Sequence, residues 1–424
     1  MDPDKANELF ELADRLSADA AKLRAELEIE FMSGQLADVV ARDYDLGDVA
    51  GVDQIFGGYV NLSFAVRTRD ADGEHRYFVR KYNKAITEDE IRFEHALVNH
   101  INAKGFHLAA RVYPNKRGET FVTRRERSNG ERLTRYFAVY EMLEGQDKYT
   151  WVKNRCTDRE YESGGRVLAQ FHYLAHDFDP RGLGRQQPPI MQLLRDLRPA
   201  FAGYAEQARA GGSVVDEYYL ERLPAIDEAL RIGAEQEPGL RGMPNIPVHC
   251  DYHPGNLKWV DEEAAAFRPV ETSGSSCSGL FDFDWSKLDY RIFDVAEGIV
   301  YFCSSWEGRD SGELWLDKAA IFVRAYQDEA AKFAEPGAMT AAELAALPRM
   351  VANANLYVLN WDVSAYYEAD EDLNDDEYLM YLKHQVMLME FIEAHLQELA
   401  HLADAQGAMG SSGEPGHGHD QERV

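Results

Sequence analysis

The sequence predicts an α+β protein in which a β-rich segment precedes a mainly helical one. Between residues 45 and 145, short apolar runs with alternating or β-branched residues are separated by turn-forming residues, as in an antiparallel sheet. From residue 146 to about 405, apolar residues recur at intervals of three and four, which is typical of amphipathic helices. With 45% hydrophobic and 11% aromatic residues, the chain can form a large core.

The charge of the chain limits its partners. Its 424 residues include 74 acidic and only 45 basic ones, for a formal net charge of −29. A surface this acidic repels phosphates and anionic lipid, so we expect neither a nucleic acid nor a membrane as partner.

The apolar runs are too short to span a bilayer, and the N-terminus lacks the pattern of a secretory signal. The four cysteines have no CxxC spacing. We therefore expect a soluble, cytoplasmic protein.

The β-rich segment is predicted to contain five strands and one helix. A Gly57-Gly58 break separates the first two strands, and turn-forming residues 70–73 separate the second from the third. The helix follows Thr87, which with Glu90 forms the pattern of a capping box, and Gly105 ends it. The predicted strands are 52–56, 61–66, 75–82, 120–123 and 135–140, and the predicted helix is 88–104.

The C-terminal segment is predicted to be helical apart from two short strands at 257–260 and 279–282. An amphipathic helix at 5–32 lies in an N-terminal extension of residues 1–44. A tail of residues 406–424, with scattered Gly, Ser and His, is expected to be disordered. The predicted helices are 158–176, 190–210, 214–235, 313–334 and 340–404.

The strongest functional signal is the run His249-Cys-Asp251-Tyr-His-Pro-Gly-Asn256. A carboxylate is followed five residues later by an amide, and a second carboxylate, Asp282, ends the next predicted strand. Phosphoryl transfer needs one carboxylate to orient and deprotonate the attacking hydroxyl, and oxygen ligands to hold Mg²⁺ against the nucleotide phosphates. These residue types therefore suit a kinase, and the oxygen ligands suit Mg²⁺ better than the nearby His and Cys side chains would.

This run resembles the catalytic loop of the aminoglycoside phosphotransferase and choline kinase family, relatives of protein kinases with the pattern H-x-D-x-x-x-x-N. Residues 57–64 are similar to the nucleotide loop of its homoserine-kinase-like branch, and residues 163–172 to the helix packed under the catalytic loop. Residues 279–285 and 291–296 resemble the metal-binding strand and the helix after it. The resemblance implies a bilobal protein-kinase-like fold, with an antiparallel-sheet N-lobe at 45–145 and a mainly helical C-lobe at 146–405.

Position by position, the resemblance implies ATP and Mg²⁺ as cofactors. Asp251 would be the catalytic base, and Asn256 and Asp282 would hold Mg²⁺. Arg80, paired with Glu94, would reach the α- and β-phosphates. The nucleotide-contacting positions that the resemblance implies are Gly57, Gly58, Asn61, Ser63, Arg80, Glu94, Glu141 and Leu143.

Three positions are ambiguous or differ from the usual residue of the family. Either Arg80 or Lys81 contacts the phosphates, and strand alternation, which puts Arg80 on the face of Tyr82, favours Arg80. Asp284 is either a second metal ligand or a helix cap. Cys250 stands where the family usually has glycine.

Two residues of the motifs are expected to be structural. His249 would bond the backbone around Asp282, and Asp294 would accept hydrogen bonds from backbone N–H groups of the catalytic loop. A zinc site built on His249 and the nearby cysteines fits no familiar ligand spacing, so we do not expect one.

The acceptor is expected to bind in the helical segment. Acidic and aromatic residues there suit a cationic amine, while a helix seam with polar edges explains the same residues equally well. The candidate acceptor residues are His253, Trp285, Trp361 and Asp362.

The sequence thus predicts a kinase that moves the γ-phosphoryl group of ATP to a hydroxyl of a small metabolite. An amino alcohol, a homoserine-like amino acid, an aminoglycoside and a sugar are the candidate acceptors. The alternatives are a protein Ser/Thr kinase of the same superfamily and a non-catalytic nucleotide-binding regulator, against which the intact Asp251, Asn256 and Asp282 argue. The sequence sets no expectation for the oligomeric state.

Overall fold

A computed structural model describes residues 32–55, 61–128, 131–261, 276–369 and 373–404. The chain divides into two compact units, one formed by Met1–Asn99 and Ala110–Leu143 and the other by His100–Ala109 and Glu144–Val424. Four predicted features lie outside the described residues: the helix before Met32, the Gly57-Gly58 break, most of the loop before the 279–282 strand and the C-terminal tail.

The first unit is built on a five-stranded antiparallel sheet of order β1-β2-β3-β5-β4. The first three strands pair as the predicted meander, with Phe64 opposite both Gln54 and Val79. The strands are β1 (Asp48–Ile55), β2 (Leu62–Asp70), β3 (Gly73–Lys81), β4 (Val122–Ser128) and β5 (Glu131–Glu141). Helix α1 covers residues 32–43, and α2 covers Glu88–Ala103.

The core of the first unit lies between α1 and one face of the sheet. Leu36, Val39 and Val40 of α1 follow the i, i+3, i+4 spacing and are fully buried against apolar sheet residues such as Phe64 and Val79. The predicted N-terminal helix ended at Met32, so α1 was not predicted. The apolar spacing of Leu36, Val39 and Val40 would have indicated it.

The start of α2 is the predicted capping box. The backbone N–H and hydroxyl of Thr87 donate to Oε2 of Glu90 (2.9 and 2.7 Å), and the N–H of Glu90 donates back to the Thr87 hydroxyl at 3.4 Å. Gly105, just after the helix, adopts a left-handed φ of +97°, which glycine tolerates without steric cost. The predicted helix and both of its end signals are confirmed.

The edge strand β4 is longer than the predicted strand at 120–123. Residues 124–127 are Arg-Arg-Glu-Arg, and they pair with β5, with Arg125 opposite Thr134. A charged edge strand lacks the alternating apolar pattern from which strands are predicted, while its charges discourage pairing with other chains. The prediction was too short for that reason.

The second unit is mainly helical. Its described α-helices are α3 (Asp158–Ala175), α4 (Ile190–Gly211), α5 (Val214–Ala234), α6 (Arg291–Cys303), α7 (Leu316–Ala330), α8 (Ala341–Tyr367), α9 (Asp375–Ala394) and the short α10 (Leu396–Leu399). Short 3₁₀ helices cover Glu237–Leu240, Pro254–Asn256, Phe283–Trp285 and Gly308–Asp310. Among the helices described, none is both long enough and apolar enough to cross a membrane.

The single helix predicted at 340–404 is wrong, because the structure breaks it after Tyr367 and again at His395. Asn374 then starts α9 by accepting hydrogen bonds from the N–H groups of Asp376 (3.0 Å) and Glu377 (3.3 Å). Apolar spacing continues on both sides of the break, so the periodicity did not reveal it. The acidic residues Asp375, Asp376 and Glu377 form the first turn of α9.

Two short two-stranded sheets position the sequence motifs of the second unit. β7 (Leu257–Trp259) pairs with β8 (Cys277–Leu280), close to the predicted strands. β6 (Asn245–Val248) pairs with β9 (Lys287–Tyr290) and was not predicted. Each strand has only four residues, and β9 carries Lys287 and Asp289, so no apolar run marks the pair. The β6–β9 pair holds β6 beside the segment that leads into α6, and the N–H of His249, directly after β6, bonds Asp294 in the first turn of that helix.

Helices α3 and α7 approach each other at the backbone. A Cβ added to Gly165 would lie 2.3 Å from the carbonyl oxygen of Phe322 and 3.1 Å from the N–H nitrogen of Tyr326. In contrast, a Cβ on Gly203 of α4 meets nothing within 4 Å. The two glycines therefore serve different purposes, since only Gly165 is required by packing.

We predict opposite effects for alanine at these two positions. Gly165→Ala should destabilise the protein by about 1–3 kcal/mol, because α3 and α7 must separate to admit the methyl group. Gly203→Ala should stabilise it by up to about 1 kcal/mol, because alanine has the better helix propensity. Denaturant unfolding of both variants checks the pair, and equal effects would contradict the close approach of the two helices.

Candidate functional site

The catalytic-loop motif leaves β6 and enters β7 through a tight 3₁₀ turn at Pro254–Asn256. The turn is closed by the side chain of His253, whose Nδ1 accepts a hydrogen bond from the N–H of Gly255 at 3.0 Å. A Cβ on Gly255 would lie 2.9 Å from the His253 ring and 3.0 Å from Cα of Thr150. Glycine is therefore needed here, and the turn returns Asn256 towards Asp251.

Asp294 on α6 anchors the start of the loop. Its carboxylate accepts hydrogen bonds from the N–H groups of His249 (2.7 Å) and Cys250 (3.0 Å) and from Nε2 of His172 (3.0 Å). The other ring nitrogen of His172 contacts the hydroxyl of Tyr326 at 2.8 Å. Burial opposes ionisation, but these donors, led by His172, hold the pKa of Asp294 below its ordinary value. The structural role predicted for Asp294 is confirmed.

Cys250 has a left-handed backbone, with φ of +60°, although it is not glycine. Such a residue costs about 1–2 kcal/mol, which explains why glycine is common at this position in the family. The cost is offset by bonds on both sides: the Cys250 N–H donates to Asp294, and its carbonyl accepts from the Tyr357 hydroxyl at 3.2 Å. Burial raises the pKa of the thiol well above its ordinary value, which disfavours the reactive thiolate form of Cys250.

Asp251, Asn256 and Asp282 meet at one end of the β7–β8 hairpin. Nδ2 of Asn256 donates to both the backbone carbonyl and Oδ2 of Asp251, each at 2.8 Å. The N–H of Phe281 donates to the carbonyl of Asn256 at 3.1 Å, which puts Asp282 beside Asn256. Nε2 of His249 donates to the carbonyl of Phe281 at 3.0 Å, so the predicted structural role of His249 is confirmed.

Negative charge is concentrated around this hairpin end. Burial, and then the neighbouring carboxylate of Asp282, raise the pKa of Asp251 well above its ordinary value. Glu297 on α6 is fully buried, and its pKa is raised by burial and by Asp294 and Asp251. Sequence reasoning missed Glu297, although an acid three residues after Asp294 within an apolar helix was a usable signal.

The donor set fits Mg²⁺ rather than a soft metal. The amide of Asn256 and the carboxylate of Asp282 supply hard oxygen atoms, and the surrounding carboxylates leave negative charge to be balanced. Among the described residues, no three His, Cys, Asp or Glu side chains are grouped to hold a metal ion. Such a pair therefore suits an ion that takes its remaining ligands from phosphates and water.

Arg80 and Lys81 lie on opposite faces of β3. The Arg80 guanidinium lies 5.7 Å from the ring centroid of Phe78 and 5.8 Å from that of Tyr82, and Nη1 is 3.5 Å from Oε1 of Glu94. Nζ of Lys81 instead bonds Oε1 of Glu126 at 2.7 Å. The face predicted for Arg80 and its pairing with Glu94 are both confirmed, and Lys81 is engaged elsewhere.

The other positions implied for the nucleotide lie in the same unit. Ser63 is opposite Arg80 in the β2–β3 ladder, and Oδ1 of Asn61 accepts from the N–H of Asn83 at 3.0 Å. The N–H of Glu141 donates to the carbonyl of Arg111 at 2.8 Å. Leu143 is half-buried at the end of the first unit, and Gly57 and Gly58 are outside the described residues.

The candidate acceptor residues form two groups in the second unit. Trp285 and Trp361 stack edge to face, 4.3 Å apart, and the next residue, Asp362, is 8% exposed. His253 lies nearer the catalytic loop: Nε2 is 3.7 Å from Oδ2 of Asp251, and burial lowers the pKa of His253 to about 3. His253 is therefore a neutral side chain, and the distance to Asp251 is too long for a hydrogen bond.

Tyr301 on α6 lies beside His253 and was missed by sequence reasoning. The two rings are 5.5 Å apart. Burial raises the pKa of Tyr301 well above its ordinary value, and nearby carboxylates, led by that of Asp251, raise it further. In a helix of apolar appearance, a lone tyrosine gives no sequence signal of this contact.

These features define a protein-kinase-like fold: a five-stranded sheet unit with a paired Arg80 and Glu94, and a helical unit with an H-x-D loop followed by the β7–β8 hairpin. The chain belongs to the phosphotransferase enzyme family, whose sequence profile matches residues 52–327. It is therefore an ATP-dependent phosphotransferase of the class that acts on small metabolites.

Curated relatives and solved structures agree with this assignment. The homoserine kinase of Parvibaculum lavamentivorans is 24% identical over 283 residues, covering 67% of this chain and 73% of the relative. That of Xanthobacter autotrophicus is 25% identical over 335 residues, covering 79% and 84%. A microcompartment-associated aminopropanol kinase matches with a TM-score of 0.61 at 18% identity, covering 86% of this chain and 98% of its own. An amicoumacin kinase in complex with AMP-PNP, Ca²⁺ and Ami has a TM-score of 0.56 at 14% identity, covering 86% and 96%. The two solved structures share the fold.

We predict that the loop depends on the charge of Asp294. Asp294→Asn should lower the free energy of unfolding at pH 7 by about 2–3 kcal/mol, because a neutral amide cannot accept from all three donors. Asp317→Asn is the control, since that side chain is 64% exposed and should change stability by less than about 0.5 kcal/mol. Urea unfolding of both variants measures the difference, and a stable Asp294→Asn protein would show that the anchor is dispensable.

Proposed function

We propose that the protein transfers the γ-phosphoryl group of ATP to a hydroxyl of a small metabolite, with Asp251 as catalytic base. The observation that carries the proposal is the meeting of Asp251, Asn256 and Asp282 at one hairpin end. Asn256 holds Oδ2 of Asp251 in place, which fixes the carboxylate for an incoming hydroxyl. The raised pKa of Asp251 makes it a better proton acceptor than an ordinary carboxylate.

Asn256 and Asp282 would hold Mg²⁺. Because Nδ2 of Asn256 faces Asp251, Oδ1 is its ligand atom for a cation. A bound Mg²⁺ supplies charge neutralisation on the nucleotide phosphates. Asp282 has a left-handed φ of +69°, a conformation that, for residues other than glycine, is frequent at functional sites.

In the sheet unit, Arg80 would contact the nucleotide phosphates with its orientation maintained by Glu94. Arginine suits this role, because its planar guanidinium donates several hydrogen bonds and stays charged. Gly57 and Gly58 would belong to the phosphate-covering loop, and Asn61 and Ser63 would lie where this loop enters β2. The carbonyl of Glu141 and the backbone of Leu143 would hold the base, since the N–H of Glu141 already bonds Arg111.

The acceptor would lie beside His253, Tyr301, Trp361 and Asp362. Among the described residues, Oδ2 of Asp362 is buried without a hydrogen-bond partner, and burial raises the pKa of this acid. A buried acid of this kind is stabilised by a cationic group at the same place, and the indole ring of Trp361 would add cation–π attraction. These features favour an amine-bearing acceptor, such as an amino alcohol or a homoserine-like amino acid.

We predict that a substitution of Asp251 lowers turnover, whereas a substitution of Asp282 weakens nucleotide binding. Asp251→Asn should reduce kcat by at least about 100-fold while nucleotide affinity changes little, because the base acts only in the chemical step. Asp282→Ala should weaken binding of Mg²⁺·AMP-PNP by about tenfold or more, because one metal ligand is lost. Coupled ADP release and isothermal titration measure the two effects.

Asp261→Asn is the control for this pair, since the Asp261 side chain is 67% exposed and lies just after β7. It should match the parent protein in both assays. Equal loss of nucleotide affinity in Asp251→Asn would argue against a base, and unchanged Mg²⁺·nucleotide affinity in Asp282→Ala would argue against a metal ligand.

We predict that Asp362 selects for an amine. With aminopropanol as acceptor, Asp362→Asn should raise KM by about tenfold or more, because the neutral amide cannot pair with an ammonium group. With propanediol, which has a hydroxyl in place of the amine, the two proteins should give similar rates. The measurement is ADP release over a range of each acceptor, and an equal change with both acceptors would contradict recognition of the amine.

A further inference from the structure

Glu94 on α2 is bonded mainly by two tyrosine hydroxyls. Tyr82 donates to Oε2 of Glu94 at 2.7 Å, and Tyr140 donates to Oε1 at 2.8 Å. The ion pair with Nη1 of Arg80 is longer, at 3.5 Å. Glu94 is 2% exposed, so its carboxylate depends on protein donors. The two shorter bonds, and not the ion pair alone, therefore determine where this carboxylate lies.

His95, the next residue, holds the two tyrosines together. Its Nε2 lies 3.0 Å from the Tyr82 hydroxyl and 2.9 Å from that of Tyr140, and the two hydroxyls are 2.5 Å apart. Because the two hydroxyls are so close, either tyrosine can donate to the other as well as to Glu94, and Nε2 of His95 lies within hydrogen-bond distance of both. Nδ1 of His95 bonds the hydroxyl of Thr120 at 2.8 Å. Burial, and then Arg80, lower the pKa of His95 to about 3, in agreement with a neutral ring.

The same two tyrosines flank Arg80. The guanidinium carbon lies 5.8 Å from the ring centroid of Tyr82 and 5.6 Å from that of Tyr140, within the range of cation–π attraction. Tyr82 and Tyr140 thus touch both members of the Arg80–Glu94 pair. Their rings contact the cation, while their hydroxyls fix the anion.

We propose that Tyr82 and Tyr140, braced by His95, are positioning residues that hold Glu94 and thereby aim Arg80 at the nucleotide phosphates. The inference rests on the proposed function, because it takes Arg80 as the phosphate contact. Loss of either hydroxyl leaves one oxygen of Glu94 without its short bond, so Glu94 shifts towards Arg80 or away from it. In both cases the guanidinium loses its fixed direction.

The test uses the full-length protein and Mg²⁺·AMP-PNP as the probe. Tyr82→Phe and Tyr140→Phe keep the rings beside Arg80 and remove only the hydroxyls. Each should raise the Kd for Mg²⁺·AMP-PNP by about five- to tenfold, the scale of one hydrogen bond to a charged group. Tyr136→Phe is the matched control: it lies four residues before Tyr140 on β5, packs against Phe121 and should leave the Kd unchanged.

Thr120→Val is a milder second variant, in case a tyrosine variant does not fold. It removes the partner of His95 Nδ1 without touching Glu94, and should raise the Kd by about two- to threefold. Thermal unfolding is followed in parallel. If the variants unfold at lower temperature but bind the nucleotide as the parent protein does, the network is structural only and the inference is wrong. If the parent protein itself does not bind Mg²⁺·AMP-PNP, the proposed function fails instead.

Discussion

The arrangement of the second unit depends on one buried carboxylate. Asp294 accepts from two consecutive backbone N–H groups, those of His249 and Cys250, and from His172 on α3. A buried charge is tolerated only where donors surround it, so the loop, α3 and α6 must come together for this residue to be stable. Asp251 follows directly in the chain. Its position is thus determined by a helix more than 40 residues away and not by the loop alone.

The second constraint is electrostatic. Burial raises the pKa values of Asp251 and Glu297, and repulsion raises them further, from Asp282 on Asp251 and from Asp294 and Asp251 on Glu297. Like charges held together in a folded protein lower its stability, and a fold retains them where a ligand later compensates them. A nucleotide that arrives with its divalent cation would provide this compensation. The same carboxylates that lower stability by repelling one another would then stabilise the site once the nucleotide and its cation are bound.

The sequence predicted the features that depend on short-range pattern or on motif order. The capping box of Thr87, the Arg80 face and the roles of His249 and Asp294 belong to this group. It did not predict the β6–β9 pair or the tyrosine bonds to Glu94. Tyr140 and Glu94 are 46 residues apart, and nothing local in either segment marks them as partners. Pairings of this kind arise from tertiary packing, which a single sequence does not specify by periodicity.

Cys250 would couple the motif loop to the proposed acceptor side. Its left-handed backbone is unfavourable for a residue with a side chain, so it must be held from outside. Asp294 of α6 holds its N–H, and Tyr357 of α8 holds its carbonyl. Trp361 and Asp362 lie one turn further along the same helix α8. Any movement of α8 when an acceptor binds would therefore displace Cys250, the residue before Asp251. In this family member, the usual glycine is replaced by a residue whose conformation is maintained by the helix that would bind the acceptor.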